Sequence, residues 1–175
     1  MSEFQKALNK YAKYVIQQSR SNLTKAGKGK GPLYNTLSYK IAGSRVTFLS
    51  EKYGIFVDKG VKGDDPSKVS PNAKIKGQQA PNSPYEFGSG KFKGSWDDFV
   101  DKMTNFAKQK NIRFRDKDTG KFTKGGFKSM GYIIAKNIYS RGIRPTMFFT
   151  KPFERGLELY GDDIVAGYIT DKFKT

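Results

Sequence analysis

The most constraining feature of the sequence is a segment near the C-terminal end that contains two prolines. Residues 142–159 read GIRPTMFFTKPFERGLEL. Pro145 disfavours a helical conformation at the residue before it, whereas Pro152 stands where a helix can begin without losing a hydrogen bond. Apolar residues then recur at helical spacing, at Phe153, Leu157 and Tyr160. The pattern predicts a short aromatic segment that leads into an amphipathic terminal helix.

This aromatic segment has two interpretations. In the first it docks onto another protein, and its contact residues are Pro145, Met147, Phe148, Phe149, Pro152 and Phe153. In the second the phenylalanines only complete the hydrophobic core, because large apolar side chains are usually buried. The sequence leaves both interpretations open, and we take docking as the prediction to be compared with the structure.

The absence of two residue types narrows the possible functions. The chain of 175 residues has no cysteine and no histidine, so it lacks disulfides, thiolate ligands and the commonest general base and metal ligand. We therefore expect no enzymatic activity, no catalytic residue, no metal, no cofactor and no small-molecule substrate. No apolar run is long enough to span a bilayer and the N-terminal stretch is polar, so we expect a cytoplasmic chain without a membrane partner.

The charge of the chain is strongly basic and unevenly distributed. The formal net charge is +17, and no acidic residue lies between Glu3 and Glu51. The last predicted helix instead carries Glu154, Glu158, Asp162 and Asp163. Such a chain is suited to nucleic acid, to acidic protein surfaces or to head-to-tail association with its own copies. Two faces of a soluble monomer would give the same pattern.

Periodicity predicts an α+β fold. Apolar residues at helical spacing predict helices over 2–23, 96–110, 125–139 and 152–173. Alternation predicts a hairpin over 33–50, and the apolar stretch at 51–60 is either a short helix or a third strand. We expect a single domain, 1–175, in which a small antiparallel sheet is packed by the N-terminal and C-terminal helices.

Long polar stretches interrupt this pattern. Residues 60–95 and 111–125 are predicted to be inserted loops or arms, the first of which orders on a neighbouring subunit or is disordered. Residues 111–122 read as a basic hairpin. Candidate contacts with DNA phosphates or an acidic partner are Lys25, Lys28 and Lys30 in a glycine-rich loop, and Arg113 and Arg115 in this hairpin.

Two motifs resemble those of the tail-completion, or neck, proteins of long-tailed bacteriophages. That family typically has a tyrosine followed by a valine-acid-x-glycine turn after the hairpin, and a P-x-F-x-x-P segment that opens the last helix. The residues that match the first motif are Tyr53, Val57, Asp58 and Gly60. Those that match the second are Pro145, Phe148, Phe149, Pro152 and Phe153. The resemblance follows most of the chain in order, but the insertions at Asp64–Gly94 and Asn111–Gly125 depart from the compact family pattern.

The resemblance implies a structural role in the virion. Such a protein forms a homo-oligomeric ring between the head connector and the tail, is assembled in the host cytoplasm, and lets DNA pass through its lumen. Neighbouring connector and tail proteins would be its partners, and Tyr53 and Val57 would join the docking residues. The insertions leave open which ring of the neck or tail the chain forms.

Two other functions compete with this one. A sequence-independent nucleic-acid-binding protein would explain the charge and the basic loops, but not the proline-bracketed segment. A carboxylate-dependent nuclease would use Asp58, Asp64, Asp65 or Glu86, although no spacing among them resembles a two-metal site.

Overall fold

A computed structural model describes residues 1–89, 94–116, 118–122 and 126–173. Over these residues the protein is an α+β structure with small antiparallel sheets, as the sequence predicts. Its helices are α1 (Glu3–Lys25), α2 (Pro32–Thr36), α3 (Gly54–Lys59), α4 (Trp96–Gln109), α5 (Phe127–Arg141) and α6 (Thr150–Phe173). Its strands are β1 (Ser38–Ala42), β2 (Arg45–Leu49), β3 (Val61–Lys62) and β4 (Gly142–Ile143), and a 3-10 turn spans Pro66–Lys68.

The chain divides into two compact units. Unit 1 comprises Met1–Lys59 and Thr146–Thr175, and therefore contains α1, α2, the β1–β2 hairpin, α3 and α6. Unit 2 comprises Gly60–Pro145 and contains β3, α4, α5 and β4. Both segments that the sequence marks as insertions fall in unit 2.

The first turn of α1 is capped from two directions. The Ser2 hydroxyl accepts a hydrogen bond from the Gln5 amide at 3.2 Å. The carboxylate of Asp171, in the last turns of α6, accepts bonds from the amides of Glu3 at 3.1 Å and Phe4 at 2.9 Å. Because these amides have no partner inside the helix, the two caps satisfy them and fix the start of α1 against α6.

Helices α1 and α6 pack antiparallel at close range because glycines line their contact. The rings of Phe4 and Tyr168 meet edge-on at 5.4 Å at one end of the pair. A Cβ atom on Gly156 would lie 2.9 Å from Cε2 of Tyr11, and one on Gly167 would lie 2.9 Å from the backbone nitrogen of Phe4. Both glycines are buried, so they set the distance between the two helices.

The hairpin of unit 1 confirms the predicted alternation. Strands β1 and β2 pair antiparallel from Ser38 opposite Leu49 to Ala42 opposite Arg45, and one face of the pair is half-buried. The core below it consists of Ile16, Leu23, Leu33, Leu37 and Phe148. The prediction was wrong at the start of the hairpin, where residues 32–36 form α2. Residues 54–59 form a helix, which resolves the alternatives of helix and strand.

Unit 2 is built on the α4–α5 pair. The Ser95 hydroxyl caps α4 by accepting a hydrogen bond from the Asp98 amide at 3.0 Å. A Cβ atom on Gly131 of α5 would lie 2.6 Å from the backbone nitrogen of Thr104 in α4, so these helices also cross closely. Helix α5 ends at Gly142, whose φ of 86° is the left-handed conformation that glycine adopts readily.

The stretch between β3 and α4, predicted to be an arm that orders on a neighbour or a disordered segment, is instead anchored within unit 2. The amide of Lys62 donates to the carbonyl of Tyr85 at 2.7 Å, and the amide of Phe87 donates to the carbonyl of Lys62 at 3.0 Å. The Phe87 ring then stacks at 5.1 Å on Tyr139 of α5. Phe87 thus packs inside the same unit, while Phe92 lies outside the described residues.

The basic hairpin predicted over 111–122 is shorter than expected. A single antiparallel bridge joins Arg115 to Phe122, and the Asp116 amide donates to the Lys121 carbonyl at 2.8 Å. The described residues around this bridge form a tight turn, because the Asp116 side chain bonds to the turn amides. Lys117 and residues 123–125 lie outside the described part of the chain.

The glycines of α6 allow a direct test of the close helix packing. We expect Gly167→Ala to destabilise unit 1 by about 1–3 kcal/mol, since the new methyl group would overlap α1 backbone. Gly161→Ala is the matched control: nothing lies within 4 Å of its added Cβ, so helix propensity should stabilise the protein by up to about 1 kcal/mol. Urea unfolding followed by circular dichroism measures both. Equal stabilisation by the two variants would contradict the packing.

The hydroxyl of Tyr11 predicts a loss of stability at alkaline pH. It is buried in unit 1 without a hydrogen-bond partner in the described part of the chain, and this burial raises the pKa of Tyr11 from 10.0 to about 12. Between these values the unfolded chain binds fewer protons than the folded chain, so unfolding becomes easier as the pH rises. We expect Tyr11→Phe to lack this loss. The measurement is the free energy of unfolding of the parent protein and of Tyr11→Phe from pH 9 to 11. If the two curves stay parallel, the Tyr11 hydroxyl is not the cause of the alkaline loss of stability.

Candidate functional site

A buried carboxylate joins the two motifs that carry the family resemblance. Asp58, at the end of α3, is 5% exposed. Its Oδ1 accepts hydrogen bonds from the amides of Phe149 at 2.8 Å and Thr150 at 3.2 Å, and its Oδ2 accepts a short bond from the Thr150 hydroxyl. Because Thr150 opens α6, Asp58 is an N-cap for that helix supplied from a distant part of the sequence.

Backbone hydrogen bonds reinforce this junction. The amide and hydroxyl of Thr146 donate to the Val57 carbonyl at 3.0 and 2.7 Å, and the Met147 amide donates to the Asp58 carbonyl at 2.9 Å. Met147 has a φ of 51°, so the segment turns sharply there. The turn brings Phe148 and Phe149 beside the hairpin of unit 1.

The docking residues predicted from the sequence fall into different environments. Phe148 is 2% exposed in the core cluster and Pro152 is buried, so neither offers a surface to a partner in this conformation. Phe149 and Phe153 are half-buried and lie against Phe48 of β2, with ring centroids 5.2 and 6.1 Å away. The burial of Phe148 and Pro152 therefore agrees with the interpretation in which these residues complete the hydrophobic core.

The other members of the predicted docking set lie nearer the surface. Tyr53 is 43% exposed, and its hydroxyl accepts a bond from the Leu33 amide at 3.1 Å, which holds the start of α2. Val57 is half-buried against the core, and Met147 is half-buried in the turn. Pro145 belongs to unit 2, where its backbone nitrogen would lie 2.7 Å from a Cβ on Gly60. This contact accounts for the glycine of the first motif.

A groove opens on unit 1 beside these residues. It has a volume of about 350 Å³ and its lining includes Leu37, Phe48, Leu49, Ile55, Lys59 and Phe149. We call it the unit 1 groove. Ile55, which sequence reasoning missed, is 48% exposed at its edge. The groove can take an apolar side chain or a helix edge from a partner, with Lys59 able to meet an acidic group.

A second apolar surface lies on α6 and was also missed by sequence reasoning. It consists of Val165, Ile169 and Phe173, all exposed, and we call it the outer face of α6. Val165, Ile169 and Phe173 are spaced four residues apart, so they lie along one side of the helix. The four-residue spacing can be recognised from the sequence alone. In the same helix Glu154, Glu158, Asp162 and Asp163 are exposed acidic residues.

The predicted basic contacts also lie at the surface. Lys25, Lys28 and Lys30 are exposed at and beyond the C-terminal end of α1, and no salt bridge involves them within the described residues. In unit 2, Arg113 and Arg115 both lie over the ring of Phe122. The structure therefore leaves both sets of cations free of carboxylate partners in the described chain.

The carboxylates considered for a nuclease are not gathered into one site. Asp58 caps α6 in unit 1, whereas Asp64 and Asp65 belong to unit 2 and lie 3.7 and 3.3 Å from the Lys68 ammonium. Hydrogen bonds from Ser67 lower the pKa of Asp65. Across the described ranges, no group of three or more acidic, histidine or cysteine side chains is arranged to hold a metal ion.

Comparisons of the chain with known protein families, with curated proteins and with solved structures found no match. No helix in the described part of the chain is both long enough and apolar enough to cross a membrane.

Removing the Asp58 carboxylate should destabilise unit 1. Asp58→Ala leaves the Phe149 and Thr150 amides without their acceptor, so we expect a loss of about 1–3 kcal/mol in unfolding free energy. Asp58→Asn keeps one acceptor oxygen and should lose less. Asp162→Ala, an exposed change on α6, the helix that Asp58 caps, should stay within about 0.5 kcal/mol of the parent protein. Chemical unfolding decides, and an Asp58→Ala protein as stable as Asp162→Ala would exclude the capping role.

Proposed function

We propose that this chain is a ring-forming structural protein of the neck of a long-tailed bacteriophage, which joins the head connector to the tail while DNA passes through the lumen. The observation that carries the proposal is the Asp58 junction. Tyr53–Gly60 and the segment from Pro145 onward are the two stretches that resemble the family, and Asp58 bonds one to the other. Residues that lie about 90 positions apart thus form one structural element.

The proposal is supported by two different apolar surfaces on unit 1. A closed ring requires heterologous contacts, in which one patch of a subunit meets a different patch of the next. The unit 1 groove and the outer face of α6 are such a pair, the first concave and the second a row of exposed side chains. Val165 and Ile169 are 58% and 50% exposed, which leaves their apolar area uncovered in the single chain.

The charges around the two surfaces favour a second copy of this chain as the occupant. Lys59 lines the groove, and Lys52 is exposed in the loop before α3. The outer face of α6 is bordered by Glu158 and Asp162, both exposed. Placing the acidic helix of one subunit at the basic groove of the next would bring opposite charges together around an apolar centre.

The remaining parts of the proposal follow from the same role. The partners are further copies of the chain, the neighbouring head-connector and tail proteins, and DNA contacted without sequence preference in the lumen. The location is the virion, after assembly in the host cytoplasm. Catalysis, a cofactor and a metal have no part in it.

The mass of the purified, nuclease-treated protein in solution tests the proposal. We expect light scattering to detect a discrete assembly of about six to twelve copies at high protein concentration, with a closed ring visible by electron microscopy. Val165→Asp with Ile169→Asp should reduce it to monomers, because two charges would have to be buried at the contact. Ile55→Asp, at the groove, should do the same from the other side.

The control for these variants is Ile75→Asp, which places a charge on an equally exposed apolar residue of unit 2 and should leave the assembly intact. Circular dichroism of every variant must match the parent protein. A chain that stays monomeric at all concentrations, and that carries nucleic acid until salt removes it, would instead favour the sequence-independent nucleic-acid-binding protein.

A further inference from the structure

One phenylalanine of unit 2 is contacted by two arginines. The guanidinium carbons of Arg113 and Arg115 lie 4.2 and 4.3 Å from the centre of the Phe122 ring. Arg113 also lies 5.7 Å from the centre of the Phe127 ring at the start of α5. We call these four residues the guanidinium–phenyl cluster. Both distances to Phe122 are within the range in which a cation is attracted to the face of an aromatic ring.

The positive charges of the cluster are not neutralised nearby. In the described ranges neither guanidinium forms a salt bridge. The closest acidic residue in the sequence, Asp116, accepts bonds from the amides of Thr119 at 2.7 Å and Asp118 at 3.1 Å. These bonds, with the Thr119 bond first in importance, hold the pKa of Asp116 below its ordinary value. Its carboxylate therefore stays ionised, with Oδ1 bonded to the turn, and it forms no salt bridge with either guanidinium in the described ranges.

The arginines are held in place by the same turn. Arg115 donates from Nη1 to the Gly120 carbonyl at 3.3 Å, and it forms the backbone bridge to Phe122. The Nε of Arg113 is buried without a hydrogen-bond partner in the described part of the chain. Two like charges thus lie over one aromatic ring, and a bound anion would reduce the repulsion between them.

The sequence around the cluster strengthens the local positive charge. Between residues 102 and 128 the only acidic residues are Asp116 and Asp118. The basic residues of the same stretch are Lys102, Lys108, Lys110, Arg113, Arg115, Lys117, Lys121, Lys124 and Lys128. The electrostatic potential at the turn therefore favours a ligand with several negative charges, rather than a single carboxylate.

We propose that the guanidinium–phenyl cluster binds the phosphodiester backbone of DNA. Guanidinium groups match phosphate oxygens with paired donors, and an arginine already oriented against a ring loses less freedom on binding. Both guanidinium groups lie over Phe122, which is 41% exposed, so part of the ring surface that could stack on a base is already covered. The cluster should therefore bind DNA without preference for sequence, and bind duplex at least as well as single strand.

This proposal deepens the proposed function, on which the choice of DNA as the polyanion rests, but it is tested separately from ring formation. It uses residues of unit 2 only, whereas the assembly surfaces belong to unit 1. The measured quantity is the affinity for DNA, and light scattering verifies that the compared proteins are in the same assembly state. A failure here would leave the ring proposal standing, and a failure of the ring would leave this one standing.

The experiment is a fluorescence-anisotropy titration of a labelled short duplex with the purified full chain over a series of salt concentrations. Arg113→Gln with Arg115→Gln should lower the slope of log affinity against log salt by about two. The charge-matched control, Lys74→Gln with Lys76→Gln, removes two exposed lysines elsewhere in unit 2 and should leave the slope unchanged. Equal loss in both pairs would overturn the site, because binding would then follow total charge alone.

A second variant tests the ring without changing the charge. Phe122→Leu should weaken duplex binding roughly three- to thirty-fold, since it removes the surface that orients both guanidiniums. Arg113→Lys with Arg115→Lys should keep the slope of log affinity against log salt but lower the affinity for duplex. If the glutamine pair does not fold, this lysine pair tests the site in its place. Unchanged affinity in Phe122→Leu or in the lysine pair would overturn the proposal.

Two further probes separate the sources of the phosphate. Single-stranded DNA of equal phosphate number should bind no more tightly than the duplex, and clearly tighter binding would show base stacking instead of backbone contact. Inorganic polyphosphate of matched charge should compete less effectively than duplex. Equal competition would identify the cluster as a general polyanion site and overturn its assignment to DNA.

Discussion

The structure of unit 1 depends on the hydrogen bonds of one carboxylate. Asp58 accepts hydrogen bonds from the amides of Phe149 and Thr150. These amides have no acceptor inside α6, because Phe149 precedes the helix and Thr150 is its first residue. The cap therefore fixes where α6 begins. From that point the buried glycines of α6 determine how closely it approaches α1, and Asp171 in its last turns caps α1. Helix α6 is thus capped from α3 at its start, and it caps α1 near its own end.

Much of this fold could be predicted from the sequence where the signal was local. Ser2 and Ser95 each cap a helix within three residues, Gly142 ends α5 with a positive φ, and the alternation of the hairpin follows from its two faces. What could not be predicted depends on distant partners. The stretch after β3 has no periodicity of its own, and its shape comes from bonds such as that between the Gln78 side chain and the Gly63 amide, at 2.7 Å.

The candidate site shows the same division between local and distant information. Phe148 and Phe149 are adjacent and chemically identical, yet one is in the core and the other lies half-buried at the groove. Only the left-handed turn at Met147 decides which ring points inward, and no residue preference foretells that conformation at a methionine. The outer face of α6, in contrast, was present in the sequence as an uninterrupted four-residue repeat on a helix that had already been assigned.

The two proposed activities depend on interactions with opposite responses to salt. Apolar contact between the outer face of α6 and the unit 1 groove changes little when salt screens its flanking charges, whereas contact between the guanidinium–phenyl cluster and phosphate weakens steeply as counterions compete. A subunit of this kind can remain assembled while its hold on DNA is loosened. In the proposed ring, weak and sequence-independent phosphate contacts on Arg113 and Arg115 would guide the duplex without trapping it, while the apolar contacts would hold the subunits together.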